Sequence, residues 1–163
     1  RFLEETTDRF DVVIIDLPDP HNLSLSKLYS KSFYTLLTQR LNADSLFVTQ
    51  ATSPVFATRA YWSIVATLRA VPSPLHRDER LQVRPYHTYV PSFGEWGFVM
   101  AGARLPTWDA IDVIVSTRYL DRGALRSMTH FARDVAEIET EVNTIHTHVL
   151  PRYYDAGWNR WYE

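Results

Sequence analysis

The sequence predicts an α/β fold: an open sheet with parallel strands and an antiparallel pair at its C-terminal edge. Three observations predict it. Residues 10–15, "FDVVII", are a nearly unbroken β-branched apolar run, the pattern of a strand covered on both faces of a parallel sheet. The first 70 residues alternate strand and helix signals, the order of a βαβ unit with its right-handed crossover. Later, "VRPYHTYVP" and "EWGFVMAG" flank the turn "SFG", as in an antiparallel hairpin.

Each element has its own justification. "RFLEETTDRF" reads as the end of a helix running into a turn, without a start signal. Residues 10–15 form the first strand, and a loop carries the chain to about Leu25. Ser26 can cap a helix over 26–40, with Leu28, Phe33, Leu36, Leu37 and, just past its end, Leu41 near helical spacing. "NAD" makes a turn, and "SLFVT" at 45–49 is the next strand. Pro54 suits the start of a second helix reaching about Ala70. Residues 71–82 form a polar loop with Pro72 and Pro74, and the hairpin follows. Beyond it, "DAIDVIVSTRYL" has strand character, and "DRGALRSMTHFARDVAEIETEVN" is weakly helical, with "ARDVAEIETEVN" read as a solvated face. Residues 1–104 are therefore expected to carry the core and 105–163 an extension packed on the core or on a second subunit.

Composition narrows the function classes. Apolar residues make 45% of the 163-residue chain and charged residues 22%, an ordinary globular balance. A net charge of −2 recruits neither nucleic acid nor anionic lipid. The absence of cysteine removes disulfides, thiolate metal sites and thiol nucleophiles together. No apolar run approaches the ~20 residues a membrane span requires. Glycine is scarce, and none precedes Gly94.

The chemistry concentrates in "DLPDPHN". Ligands of open α/β sheets sit beyond the carboxyl ends of the strands. Asp16 stands at one such end, and Gln50 ends the neighbouring strand. Asp19 reaches the same space if the loop curls back, and Pro18 and Pro20 stiffen that loop. Paired carboxylates suit an ammonium ligand, and one of them can then take its proton, because an amine is nucleophilic only when deprotonated. The plainer reading makes Asp16 a loop former bonded to backbone. Asp16, Asp19 and His21 as a metal cluster lack the converging ligands such a site needs. His146 and His148 alternate and read as surface or interface residues, and His87 as a satisfied strand histidine. Ser32 and Ser92 have no base at triad spacing. Tyr29 is placed to cap the crevice, and Phe33 to fill the core. The tail aromatics Tyr153, Tyr154, Trp158, Trp161 and Tyr162 are too many to be wholly exposed.

"FDVVIIDLPDP", "LYSKSFYTLL", "LFVTQATSP" and "PSFGEWGFVMA" together resemble the polyamine aminopropyltransferases, the spermidine and spermine synthases. The wording "DLPDP", "SPVFA" and "EVNTIHTHVLPRYYDAGWNRW" is most similar to the bacterial branch whose longer members place transmembrane helices ahead of the synthase domain. The resemblance implies a Rossmann-like, S-adenosylmethionine methyltransferase-type sheet and transfer of an aminopropyl group from decarboxylated S-adenosylmethionine to putrescine or a related amine. Asp16 matches the general base. Asp19 and Gln50 match residues that hold the amine, and Trp96 would wall the polyamine channel. Pro20 would lie near the adenine of the donor. The donor is a substrate, the sulfonium already activates the carbon, and no cofactor or metal is implied. A homodimer or larger homo-oligomer is implied, with the catalytic domain in the cytoplasm.

Two departures qualify this. The family's glycine-rich donor loop belongs upstream of these residues, so the chain is expected to be a piece that cannot form a donor site alone. The Tyr of the family's Tyr-Pro-Ser-Gly turn is absent from "VPSFGEW", with Tyr89 just before it and Phe93 just after. The rival readings are an S-adenosylmethionine-dependent N-methyltransferase, for which the second acid of the loop is unsuited, and a non-catalytic assembly fragment.

Overall fold

In the computed structural model, residues 1–76 and 78–161 are described; Tyr162 of the aromatic tail lies outside them. A one-turn helix α1 (Phe2–Glu5) leads into strand β1 (Phe10–Ile15). Helices α2 (Leu23–Ser26) and α3 (Lys31–Thr38) carry the chain to β2 (Leu41–Gln50). Helix α4 (Thr58–Arg69) precedes the hairpin β3 (Gln82–Val90) and β4 (Gly94–Gly102). Two further helices, α5 (Arg122–Met128) and α6 (Val149–Asn159), complete the elements. The sheet order is β1-β2-β4-β3, with β1 parallel to β2 and the other pairs antiparallel. This is the mixed α/β sheet that the strand–helix alternation and the hairpin predict. Among the described residues no helix is long and apolar enough to cross a membrane.

One face of the sheet holds the core. Ile15, Phe47, Val99 and Ala101 lie under α3 and α4, where they meet Tyr34, Leu37, Tyr61, Ile64, Val65 and Leu68. Tyr34 stacks on Phe47 at 6.0 Å. Gly97 allows the closest approach: a Cβ there would lie 2.3 Å from the Tyr61 ring.

The other face differs from expectation. β1 is not covered on both sides, for Val12 is 61% and Ile14 79% exposed. As the first strand in the order β1-β2-β4-β3 it is an edge, and no described helix shields its outer side chains.

Other local expectations also need correction. The helix over 26–40 is broken at Ser30, whose extended backbone caps α3 and whose Oγ accepts from Phe33 N at 3.2 Å. The break is stitched from a distance by fully buried Asn143: its Nδ2 donates to Ser26 O at 2.8 Å, and its main-chain carbonyl accepts from Lys31 N at 2.9 Å. β2 starts at Leu41, not Ser45, and its register against β1 jumps between Phe10 and Val12, so the "NAD" segment loops out within the strand. Helix α4 begins at Thr58, because the Ser53 hydroxyl captures the N–H groups of Val55 and Phe56 in a turn first. Residues 111–120 form no strand. Beyond α5 the chain runs as an irregular strap, not a solvated helix, with Val135 and Asn143 buried. Trp62 Nε1 donates to Val135 O at 3.0 Å and so fastens the strap to α4.

Candidate active site

β1 and β2 run parallel, so Asp16 and Gln50 leave their carboxyl ends side by side. Asp16 projects on the uncovered face, in alternation with Val12 and Ile14. Trp96 reaches the same place from β4. With Ile14, Val48, Tyr86, Phe93 and Phe98 these residues line a groove of about 460 Å³. Its floor is apolar, and Tyr86 stacks on Phe98 across the strands at 5.5 Å. Asp16 is exposed at its end, and no described donor bonds the carboxylate, so it is not consumed by the loop backbone. An ammonium entering such a groove leaves water for an apolar floor and meets one anion.

Gln50, 4% exposed, organises the loop behind Asp16. Its Nε2 donates to Leu17 O at 2.6 Å and to Asp19 Oδ1 at 3.2 Å, and also contacts the Tyr29 hydroxyl. Its Oε1 accepts from Thr52 N at 2.9 Å and Trp96 Nε1 at 3.1 Å. Both lone pairs of the amide oxygen are thus engaged within the protein. Tyr29 is not at the crevice mouth. It is fully buried beneath the loop, its hydroxyl within 3.1 Å of Leu17 O and Pro18 O, and burial raises its pKa well above the usual phenol value. Pro20 is also buried.

Asp19 is held from several sides. Gln50 Nε2 and Thr52 Oγ1 each reach it at 3.2 Å, and the Tyr154 hydroxyl donates to it from α6. Burial pushes its carboxyl above the ordinary carboxylate range, and the hydrogen bonds from Gln50, Tyr154 and Thr52, with the nearby His21, pull it only part of the way back. Asp19 opens into a second cleft of about 630 Å³, lined also by Phe56, Ser92, Tyr154, Asp155 and Trp158. Phe93 and Trp96 line both spaces. Of the two aromatics flanking the departed turn, Phe93 therefore lines the site, whereas Tyr89 stays exposed on β3.

Sequence reasoning missed Thr52 and Tyr154. Thr52 sits at φ 60, where a β-branched side chain is rare and strained. Gly97 N donates to Thr52 O at 2.7 Å and Ala51 N to Gly97 O at 2.8 Å, which hold it there. No local pattern announces a left-handed threonine. Tyr154 belongs to an aromatic excess that signalled packing without naming the partner.

The remaining candidates are tied up elsewhere. His87 Nδ1 faces Glu95, its Nε2 lies 2.7 Å from His130 O, and its ring packs 4.7 Å from Phe131, so it is a satisfied strand histidine. His146 is exposed. Among the described residues no three His, Asp or Glu side chains converge to hold a metal ion.

Residues 1–106 match the spermine/spermidine synthase domain. The polyamine aminopropyltransferase of Leptospira interrogans is 42% identical over 159 residues, 98% of this chain and 30% of that protein. That of Oceanobacillus iheyensis is 38% identical over 165 residues, 99% of this chain and 31% of that protein. Polyamine aminopropyltransferase 2 of Ralstonia nicotianae is 40% identical over 160 residues, 98% of this chain and 30% of that protein. The chain thus spans about 30% of the length of the curated relatives it matches.

Proposed function

The chain belongs to the spermine/spermidine synthase family, and from that premise we propose that it carries the acceptor side of an aminopropyltransferase site, with Asp16 as general base. The observation that supports this is the groove in which an unengaged carboxylate closes an apolar channel at the ends of two parallel strands. The donor is decarboxylated S-adenosylmethionine, and the acceptor is putrescine or a related amine.

The amine nitrogen attacks the propyl carbon bound to the sulfonium. The C–N bond forms as the C–S bond breaks, and the electron pair leaves with sulfur in the neutral thioether 5′-methylthioadenosine. The proton lost by nitrogen passes to Asp16. The protein supplies position and a base, and the charge on sulfur supplies the leaving group. Trp96 and Phe98 wall the methylene chain, and Asp19 holds an ammonium from the far side of Trp96. Gln50 and Tyr29 serve the amine indirectly, by fixing the loop between the two acids. Pro20 stands on the donor side of the loop.

The test is aminopropyl transfer by the full-length protein to a panel of diamines, with Asp16→Asn alongside. The variant should lose about 10²–10⁴ in rate, the usual worth of a positioned base. Its melting temperature should not change, because Asp16 is exposed. A folded protein that transfers to no amine would overturn the reading.

A further inference from the structure

Helix α6 lies beyond residues 1–106, which match the synthase domain, although the curated relatives align across it, and it closes on the acid loop. Its Tyr154 hydroxyl bonds Asp19. The Tyr154 ring stands 6.4 Å from His21 at the end of that loop and 5.8 Å from Trp158, which stacks on Phe56 at 4.8 Å. Gly157 sets the height of the helix. A Cβ there would meet Ala57 Cα and Phe56 O at 2.7 Å, so α6 rests directly on the backbone of the turn that follows Thr52. A backbone-to-backbone contact, not a flexible reach, therefore delivers the hydroxyl to Asp19. The cleft of about 630 Å³ opens from Asp19 between α6 and the β3–β4 turn, and it shares Phe93 and Trp96 with the Asp16 groove.

We propose that α6 is a working wall of the acceptor site, with Tyr154 the positioning residue that holds the Asp19 carboxylate in place and Trp158 the residue that bounds the space for the far end of the acceptor. This role presupposes aminopropyl transfer to an amine bound between Asp16 and Asp19. The titratable groups around Asp19 are His21 and Asp16 on its own loop, Tyr29 beneath it, and Tyr154 and Asp155 from α6. Tyr154 is one of three hydrogen-bond donors that offset the burial of Asp19, so its loss moves the Asp19 carboxyl further upward.

The experiment measures initial rates of transfer against putrescine concentration and pH for the full-length wild type, Tyr154→Phe and Tyr154→Ala. Tyr154→Phe keeps the ring and its contact with Trp158. It should raise KM for putrescine about ten-fold, as loss of a bond to a charged group does, with kcat unchanged and the acid limb of kcat/KM displaced to higher pH. Trp158→Ala should raise the preference for spermidine over putrescine about ten-fold by lengthening the cleft. If Tyr154→Phe keeps the wild-type KM and pH profile while Tyr154→Ala fails, Tyr154 only packs and the inference is overturned. An unaltered acceptor preference in a folded Trp158→Ala removes Trp158 from the role. A wild type that transfers to no amine overturns the function reading, and this inference falls with it. An active wild type with an unaffected Tyr154→Phe overturns this inference alone.

Discussion

Phe47 and Val48 are adjacent in β2 but belong to opposite faces of the sheet. Phe47, with Val99 and Ala101, is sealed beneath α3 and α4. Val48, with Ile14 and Phe98, lines the open groove that ends at Asp16. Alternation along the same strands thus separates two tasks. The covered face carries stability, because its side chains are removed from water and interlocked with rings. The open face keeps apolar surface in water, which costs stability and, on the function proposed above, is the face against which the aliphatic chain of the acceptor would lie.

Three substitutions would break or sharpen that contrast. The largest effect belongs to the covered face. Phe47→Ala should destabilise the fold by about 3–5 kcal/mol through lost burial and a cavity under Tyr34. Chemical denaturation reads this directly, and a loss below ~1 kcal/mol would mean that the core does not rest on this ring.

Asp19→Asn is intermediate, and its sign depends on pH. The folded state raises the Asp19 carboxyl above its ordinary value, so within the window between the two the native state binds more protons than the unfolded chain. Stability contributed at this site is therefore lost as pH rises through that window. Asparagine carries no such term, and the hydroxyls of Thr52 and Tyr154 can turn to accept from its amide. Melting temperatures recorded from pH ~4 to ~7 should show the variant gaining on the wild type as pH increases. A difference that stays flat across the range would mean that Asp19 has no perturbed titration in the fold.

The smallest effect belongs to the open face. Ile14→Thr should change stability by less than ~0.5 kcal/mol, since the side chain is 79% exposed. A large loss would show that another part of the full-length protein covers this face.

Much of this architecture was legible from local chemistry. The β-branched run of β1, the helix before β2 and the hairpin around "SFG" each carry their own periodicity or turn signal, and the structure forms all three. Asp16 and Gln50 were legible as neighbours because strand ends in a parallel sheet share one crevice, whereas Trp96 was named only through the family resemblance. What escaped was decided over long range. The break at Ser30 is held by Asn143, more than a hundred residues later, and no window around Ser30 contains that information. The exposure of Val12 and Ile14 follows from the lack of a described helix over that face of the sheet, which the residues of β1 do not state. "DAIDVIVSTRYL" has β propensity but pairs with no described strand, and Ile114 is left 88% exposed. Thr52 shows the same limit at the site, where two backbone bonds and one to the Gln50 side chain outweigh the preference of its side chain.

The amide of Gln50 has a consequence for anyone who would transplant this site. The recognisable motif is the short run from Asp16 to Pro20, and a protein engineer would be tempted to graft that run alone onto another parallel sheet. Its shape, however, is read out by a single directional group whose nitrogen faces Leu17 and Asp19 and whose oxygen faces Thr52 and Trp96. The transferable module is therefore the loop, the end of the next strand with its left-handed threonine, and the tryptophan of the returning hairpin. A glutamate in place of Gln50 would set a second acceptor against the Leu17 carbonyl and the Asp19 carboxylate, and the grafted loop would be pushed open from within.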